Sequence, residues 1–328
     1  MLLLFAAGLA NGSFASPMKR IRGWAWEHCW LLWAVTGLIV VPLLTLFATV
    51  PHPGEVYGSV SAGSLALVAL FGTIWGISAI LFGLGVARVG VGLGFALILG
   101  ISSVVGSVIP LVSKHFSTLF QTAGMLTLAG VFLQVTGVAF CGVANQLRER
   151  NVAGQTPRRL RSGLIICCLS GLGAPFVNLG LVFGTEVARA AQRLGTPAAE
   201  SQNAIWPLLF GGAFVTNAGY CLYLIRRNSG WPAFRKPPLL LNFVLAAAMG
   251  VLWMGSNLLY MYGSNRLGPL GLVFGWPIMM GCIVLTATAW GIFLGEWKGA
   301  CRNSRLWMIA GTCALLGGIA LIGAAAAA

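Results

Sequence analysis

The residues that could do acid–base or metal chemistry in this chain are few and scattered. There is no aspartate; the six carboxylates are Glu27, Glu55, Glu149, Glu186, Glu200 and Glu296, and the three histidines are His28, His52 and His115. None of these groups has metal-ligand spacing, and no G-x-S-x-G or phosphate-binding loop occurs, so enzymatic chemistry has no visible machinery and no cofactor or metal is expected. Glu27 differs in kind. It lies in W-A-W-E-H-C-W, where a carboxylate among aromatics can take up a proton, a salt bridge to Lys19, Arg20 or Arg22 being the plainer alternative. The eight cysteines contain no C-x2-C pair and read as small apolar packing residues.

The remaining candidates are neutral. Polar and aromatic side chains at membrane depth need a partner and so face protein or a cavity. Asn11, Trp75, Ser78, Asn178, Asn217, Trp253, Ser256, Asn257, Tyr260 and Trp276 form the expected binding set, with Ser102, Ser103, Gln134 and Tyr220 at similar depth. Such a set suits an uncharged, hydroxyl-rich ligand: amides and hydroxyls bond its oxygens, and an aromatic face covers the C–H side of a sugar ring. For the serines, an ordinary bond between helices is the competing explanation. Trp24, Trp26, Trp30, Trp231 and Trp307 fall at span ends beside basic loops and read as interfacial anchors.

The elements that must position these residues are membrane helices. The chain is 58% hydrophobic and only 8% charged, far from the composition of a soluble domain. Apolar runs of spanning length lie near residues 30–50, 65–87, 91–112, 124–145, 163–184, 205–225, 239–261, 268–294 and 307–325, and a shorter run over 2–16 makes ten. That first run is at the short edge of what a bilayer needs, which leads us to expect the true start upstream, and no basic segment precedes it, which argues against a secretory signal. Pro175 and Pro277 fall well inside their spans and are expected to kink or unwind them. Of the 20 Lys and Arg, 16 lie in alternate loops, which places those loops in the cytoplasm and both termini outside. The net charge of +14 is thus explained by anionic lipid rather than nucleic acid.

A duplication organises the spans. Trp75, Ser78, Leu81, Gly85, Arg88 and Gly90 recur in register as Trp253, Ser256, Leu259, Gly263, Arg266 and Gly268, 178 residues later. An odd number of spans per copy inverts the second copy. The expected architecture is therefore an all-α membrane protein of ten helices in a 5+5 inverted repeat: residues 1–145, a basic cytoplasmic linker over 146–162, and residues 163–328. Inverted repeats are the mark of secondary transporters, whose substrate sites lie near the bilayer midplane.

Several stretches also resemble a known family. FASPMKRIRGWAWEHCW, the run FGTIWGISAILFGLGVARVGVGLGFALILGISSVVGSVIP, NQLRER and FLGEWKG are together similar to the L-rhamnose-proton symporters of the drug/metabolite transporter superfamily, and the likeness covers nearly the whole chain. The resemblance implies ten helices in a 5+5 repeat in a bacterial cytoplasmic (inner) membrane, sugar uptake and proton coupling. Glu27 is then the leading proton-coupling residue and a small neutral sugar the expected substrate. The chain departs from the family pattern at GPLGLVFGWPIMMG, which leaves another sugar or a polyol open. An exporter of the same superfamily and a non-transporting assembly factor or sensor are the rival readings.

Overall fold

Long continuous apolar runs satisfy their own backbone in hydrocarbon as helices, and the computed structural model is helical throughout, with no strand among the residues it describes, 1–149, 157–295 and 297–327. Residues 150–156 of the expected basic linker lie outside the described residues. In chain order the main helices are α1 (Leu2–Ser13), α2 (Trp26–Thr49), α3 (Ala62–Val89), α4 (Val91–Lys114), α5 (Thr122–Glu149), α6 (Pro157–Gly173), α7 (Phe176–Phe183), α8 (Trp206–Arg227), α9 (Leu239–Asn265), α10 (Gly271–Phe293) and α11 (Arg302–Ala325). Among the described residues, nine segments are long and apolar enough to cross a membrane. The first of the ten expected spans is α1, whose 12 residues reach only about 18 Å at 1.5 Å per residue.

Proline acts unevenly. The span over 163–184 is interrupted at Ala174 and Pro175, dividing it into α6 and α7. Pro277, expected to do the same, sits inside an unbroken α10. Span α2 carries a feature the sequence did not announce, a π-helical stretch over Val35–Val40. It ends just before Pro42, whose ring cannot donate to the Leu38 carbonyl, and wide turns of this kind recur where a helix is locally re-aimed.

The chain divides into two compact units. The first comprises Ser13–Ile77 and Phe176–Leu258; the second comprises Met1–Gly12, Ser78–Pro175 and Leu259–Ala328. In the first unit glycines let backbones meet, as association in lipid requires. Gly72 of α3 abuts the Leu209 carbonyl of α8 and Gly76 abuts Ala213, so these helices run in the same sense. In α9, Gly250 packs where an added Cβ would stand 2.7 Å from the Gly37 nitrogen of α2, inside the π-helical stretch. Helices α2 and α8 run oppositely: Trp30 Nε1 donates to Asn217 at 3.0 Å, while Asn203, just before α8, donates to Thr49 at the far end of α2, also at 3.0 Å.

The second unit repeats the device. Gly130 of α5 packs on Gly318 and Ile322 of α11, and Gly137 packs on Gly311 and Leu315, so the two helices are antiparallel. Ser304 Oγ closes that pair by donating to the Ala144 carbonyl at 2.7 Å. Ser78 of α3 and Ser170 of α6 exchange hydroxyl-to-carbonyl bonds of 2.7 and 3.0 Å. Helix starts recur along the chain: α2 with α8, α3 with α9, α4 with α10 and α5 with α11 each lie about 180 residues apart. The glycines that end the duplicated motif both take the left-handed turn that a side chain resists, Gly90 at φ 88° and Gly268 at φ 79°.

Candidate functional site

Helix α2 carries Trp26, Trp30 and Trp33 at intervals of four and three, which places the three rings along one helix face. They continue into rings from α3, α8 and α9. Trp26 stacks on Trp30 with centroids 5.0 Å apart, Trp30 meets Trp33 at 4.2 Å, and Trp33 meets Trp253 edge-on at 5.2 Å. Trp253 stacks on Trp75 at 5.0 Å and 26°, so the two tryptophans of the duplicated motif touch each other. Phe210 lies 5.1 Å from Trp253 and 5.7 Å from Trp75, and Trp206 stacks on Phe210 at 5.1 Å. Each such pair contributes about 0.5–1.5 kcal/mol beyond its buried area.

Asn217 locks this ladder. Its Oδ1 accepts from Trp30 Nε1 at 3.0 Å, and its Nδ2 donates to the Gly76 carbonyl at 3.2 Å and to the Ala213 carbonyl at 2.9 Å. Two donors stay idle: the buried indole N–H groups of Trp33 and Trp206 have no acceptor among the described residues. Beyond Trp26 stands Glu27, only 6% exposed, whose Oε1 accepts from Asn228 Nδ2 at 3.0 Å. Its neighbour His28 meets the Gly230 carbonyl through Nε2 at 2.8 Å.

The expected binding residues divide between the two units. Trp75, Trp253 and Asn217 come together in the ladder of the first unit. Ser256 and Asn257 follow Trp253 in the same helix and both donate back to its carbonyl, at 2.6 and 2.8 Å, so those donors serve their own helix. Asn178 is wholly buried on α7. In the second unit, Ser78 spends its hydroxyl on Ser170, and Tyr260 meets Trp276 edge-on at 5.7 Å. Trp276 Nε1 donates to the Ser102 carbonyl at 3.0 Å. Asn11 lies part-buried on α1.

Sequence reasoning missed Trp33, Trp206 and Phe210. It also assigned Trp26 and Trp30 to the interface, whereas their rings enter the ladder and Trp30 is bonded within it. The four-and-three spacing from Trp26 to Trp33 was the available signal. Chemically the arrangement offers broad apolar faces, neutral donors and a single buried carboxylate. Among the described residues no group of three or more His, Cys, Asp or Glu could hold a metal.

Known proteins with similar sequences are transporters by name. The L-rhamnose-proton symporter of Cronobacter sakazakii is 29% identical over 311 residues, covering 92% of this chain and 90% of the relative. The proteins of that name from Yersinia pestis and Yersinia pseudotuberculosis are each 28% identical over 293 residues, covering 87% of this chain and 85% of the relative. A family model described as L-rhamnose-proton symport protein (RhaT) matches residues 2–328, and the chain therefore belongs to that family.

Proposed function

We propose that this protein is a secondary active transporter that takes up a neutral sugar, L-rhamnose or a related saccharide, together with a proton by alternating access. The family match over residues 2–328 carries the reading, and the relatives' names supply its substrate and its coupling ion. The ladder fits it chemically: indole faces cover the C–H side of a pyranose and indole N–H groups donate to its hydroxyls. The proposed substrate contacts are Trp75, Asn178, Asn217, Trp253, Ser256 and Asn257 in the first unit and Asn11, Ser78, Tyr260 and Trp276 in the second. Glu27, buried and one helical turn from Trp30, is the proposed proton carrier.

The scaffold belongs to the same proposal: a 5+5 inverted repeat of the drug/metabolite transporter type, in the bacterial cytoplasmic membrane with both termini outside. Support comes from helix starts recurring at about 180 residues, from the matching turn glycines, and from the antiparallel packing of α2 with α8 and of α5 with α11. Purified protein in liposomes tests the function. An inward proton gradient should concentrate L-rhamnose, and collapsing the gradient should abolish accumulation. Failure to accumulate any sugar under the gradient refutes the reading.

A further inference from the structure

Within the second unit, helices α5 and α10 touch at mid-length and part toward the end that the Lys and Arg distribution assigns to the cytoplasm. A Cβ added at Gly281 of α10 would stand 3.1 Å from Gln134 Nε2 of α5, which marks the contact. Beyond that level lies a cleft of about 100 Å³, several times the room one water needs, walled by α5, α10 and the first turns of α4 and bounded by Trp297. Its lining is graded. Phe95, Val138, Val284 and Ala287 make the deeper wall apolar, whereas two to three turns further along α5 the cleft is lined by Asn145 and Arg148.

The neutral donors are already engaged. Asn145 Nδ2 donates to the Cys141 carbonyl at 3.0 Å and Thr288 Oγ1 to the Val284 carbonyl at 2.9 Å, each within its own helix. Arg148 supplies the charge of the lining, its Cζ 5.0 Å from the centre of the buried Trp297 ring. A guanidinium has five N–H donors, more than one ring can use. Two of the stretches singled out in the sequence, NQLRER and FLGEWKG, thus meet at this cleft.

The surroundings point to the ligand. Residues 145–150 and 296–305 hold five Lys or Arg against two Glu. The bond from Ser304 to the Ala144 carbonyl brings the start of α11, with exposed Arg302 and Arg305, beside the same end of α5. Ile292, Phe293 and Leu294, where α10 ends, are all exposed, as a lipid-facing surface is. A basic rim over an apolar wall matches an amphiphile with an anionic head, whereas a neutral sugar would call on donors that this cleft has spent.

We propose that the cleft binds one anionic phospholipid of the cytoplasmic leaflet, its phosphate at Arg148 and the first part of an acyl chain against Phe95, Val138 and Val284. The site goes beyond the transport reading and does not depend on which solute is carried. The test uses the full-length protein, purified in detergent, with melting temperature and native mass spectra read against added phosphatidylglycerol, phosphatidylcholine or inorganic phosphate. Phosphatidylglycerol should raise the melting temperature and leave one molecule bound in the spectra; the other two should do neither. Arg148→Gln should weaken phosphatidylglycerol binding about tenfold, whereas Arg305→Gln, an equal loss of charge on the exposed rim, should leave it nearly unchanged.

Equal effects of Arg148→Gln and Arg305→Gln overturn the site, because diffuse charge then holds the lipid. Phosphatidylcholine binding as well as phosphatidylglycerol also overturns it, as does inorganic phosphate producing the lipid's full shift, which would make the occupant a soluble anion. If Arg148→Gln fails to fold, Ala287→Leu fills the apolar wall with the guanidinium in place; it should cost the bound lipid too, and retention of the lipid refutes the proposal. Sugar accumulation plays no part in these readouts, so the transport reading can fail while the lipid site stands.

Discussion

Replacing Glu27 with glutamine isolates the coupling step, because the structure makes the change nearly silent for folding. Glu27 Oε1 accepts a single amide bond, from Asn228 at 3.0 Å. Glutamine presents a carbonyl oxygen in the same place, so the bond survives and only its charge-assisted part is lost, about 1 kcal/mol or less beside the exposed Asn228. What disappears is the proposed proton carrier. A gradient of one pH unit is equivalent to about 1.4 kcal/mol per proton, so a one-to-one symporter clamped at zero membrane potential concentrates sugar about tenfold. In liposomes clamped with potassium and valinomycin, wild type should reach that ratio. Glu27→Gln should fall to equal concentrations inside and out while still exchanging labelled for unlabelled sugar. A glutamine variant that keeps tenfold accumulation refutes the assignment of Glu27.

Four further outcomes follow from the packing and the ladder. Gly72→Ala drives a Cβ into the Leu209 carbonyl and should cost about 1–3 kcal/mol in unfolding experiments, whereas Gly83→Ala, with open space around it, should cost almost nothing; equal values would refute the close approach. Ser78→Ala and Ser170→Ala share one reciprocal pair of bonds, so a double-mutant cycle should give a coupling of about 0.5–1.5 kcal/mol, and strict additivity would deny the clasp. Trp75→Phe keeps an aromatic face but loses area and an N–H, and should raise KM for the sugar about tenfold at an unchanged accumulation ratio; an unchanged KM removes Trp75 from the site. In a cysteine-free background, cysteines at exposed Arg235 and Ala199 should react with an impermeant thiol reagent from the cytoplasmic and external sides respectively, and reactivity from one side only contradicts the proposed topology.

Spanning helices were legible because hydrocarbon demands long apolar runs, and the duplicated motif was legible because Trp, Ser and Arg rarely fall in register by chance. What the sequence hid is how each polar group is spent. Ser78, Ser256 and Asn257 read as ligands of a hydroxylated guest, yet each donates to a backbone carbonyl. Gln134 read as one polar residue among many, and only the packing leaves it without a partner. Trp33 and Phe210 carry apolar rings that any core would accept, so type alone cannot separate a wall of packing from a wall of a site. Pro175 and Pro277 look alike in sequence and behave differently, because whether a missing N–H opens a helix depends on what else braces the turn.

The proposed repeat sorts the residues into two classes with different physical jobs. Positions where backbones meet or turn occur in both copies: Gly72 with Gly250, and Gly90 with Gly268. Of the positions proposed to carry chemistry, Trp75 and Trp253 recur in both copies, whereas several polar ones do not. At the same 178-residue offset in sequence, Glu27 corresponds to Ile205, Asn217 to Ile39 and Trp276 to Ile98. A scaffold whose copies pack through the same small residues can exchange their roles at little energetic difference, which keeps inward-open and outward-open states both populated. Polar groups confined to one copy break that equivalence for the cargo alone. Under the proposed assignment the proton loads one carboxylate, Glu27, which has only Ile205 at the corresponding position, so the coupling step belongs to one copy rather than both.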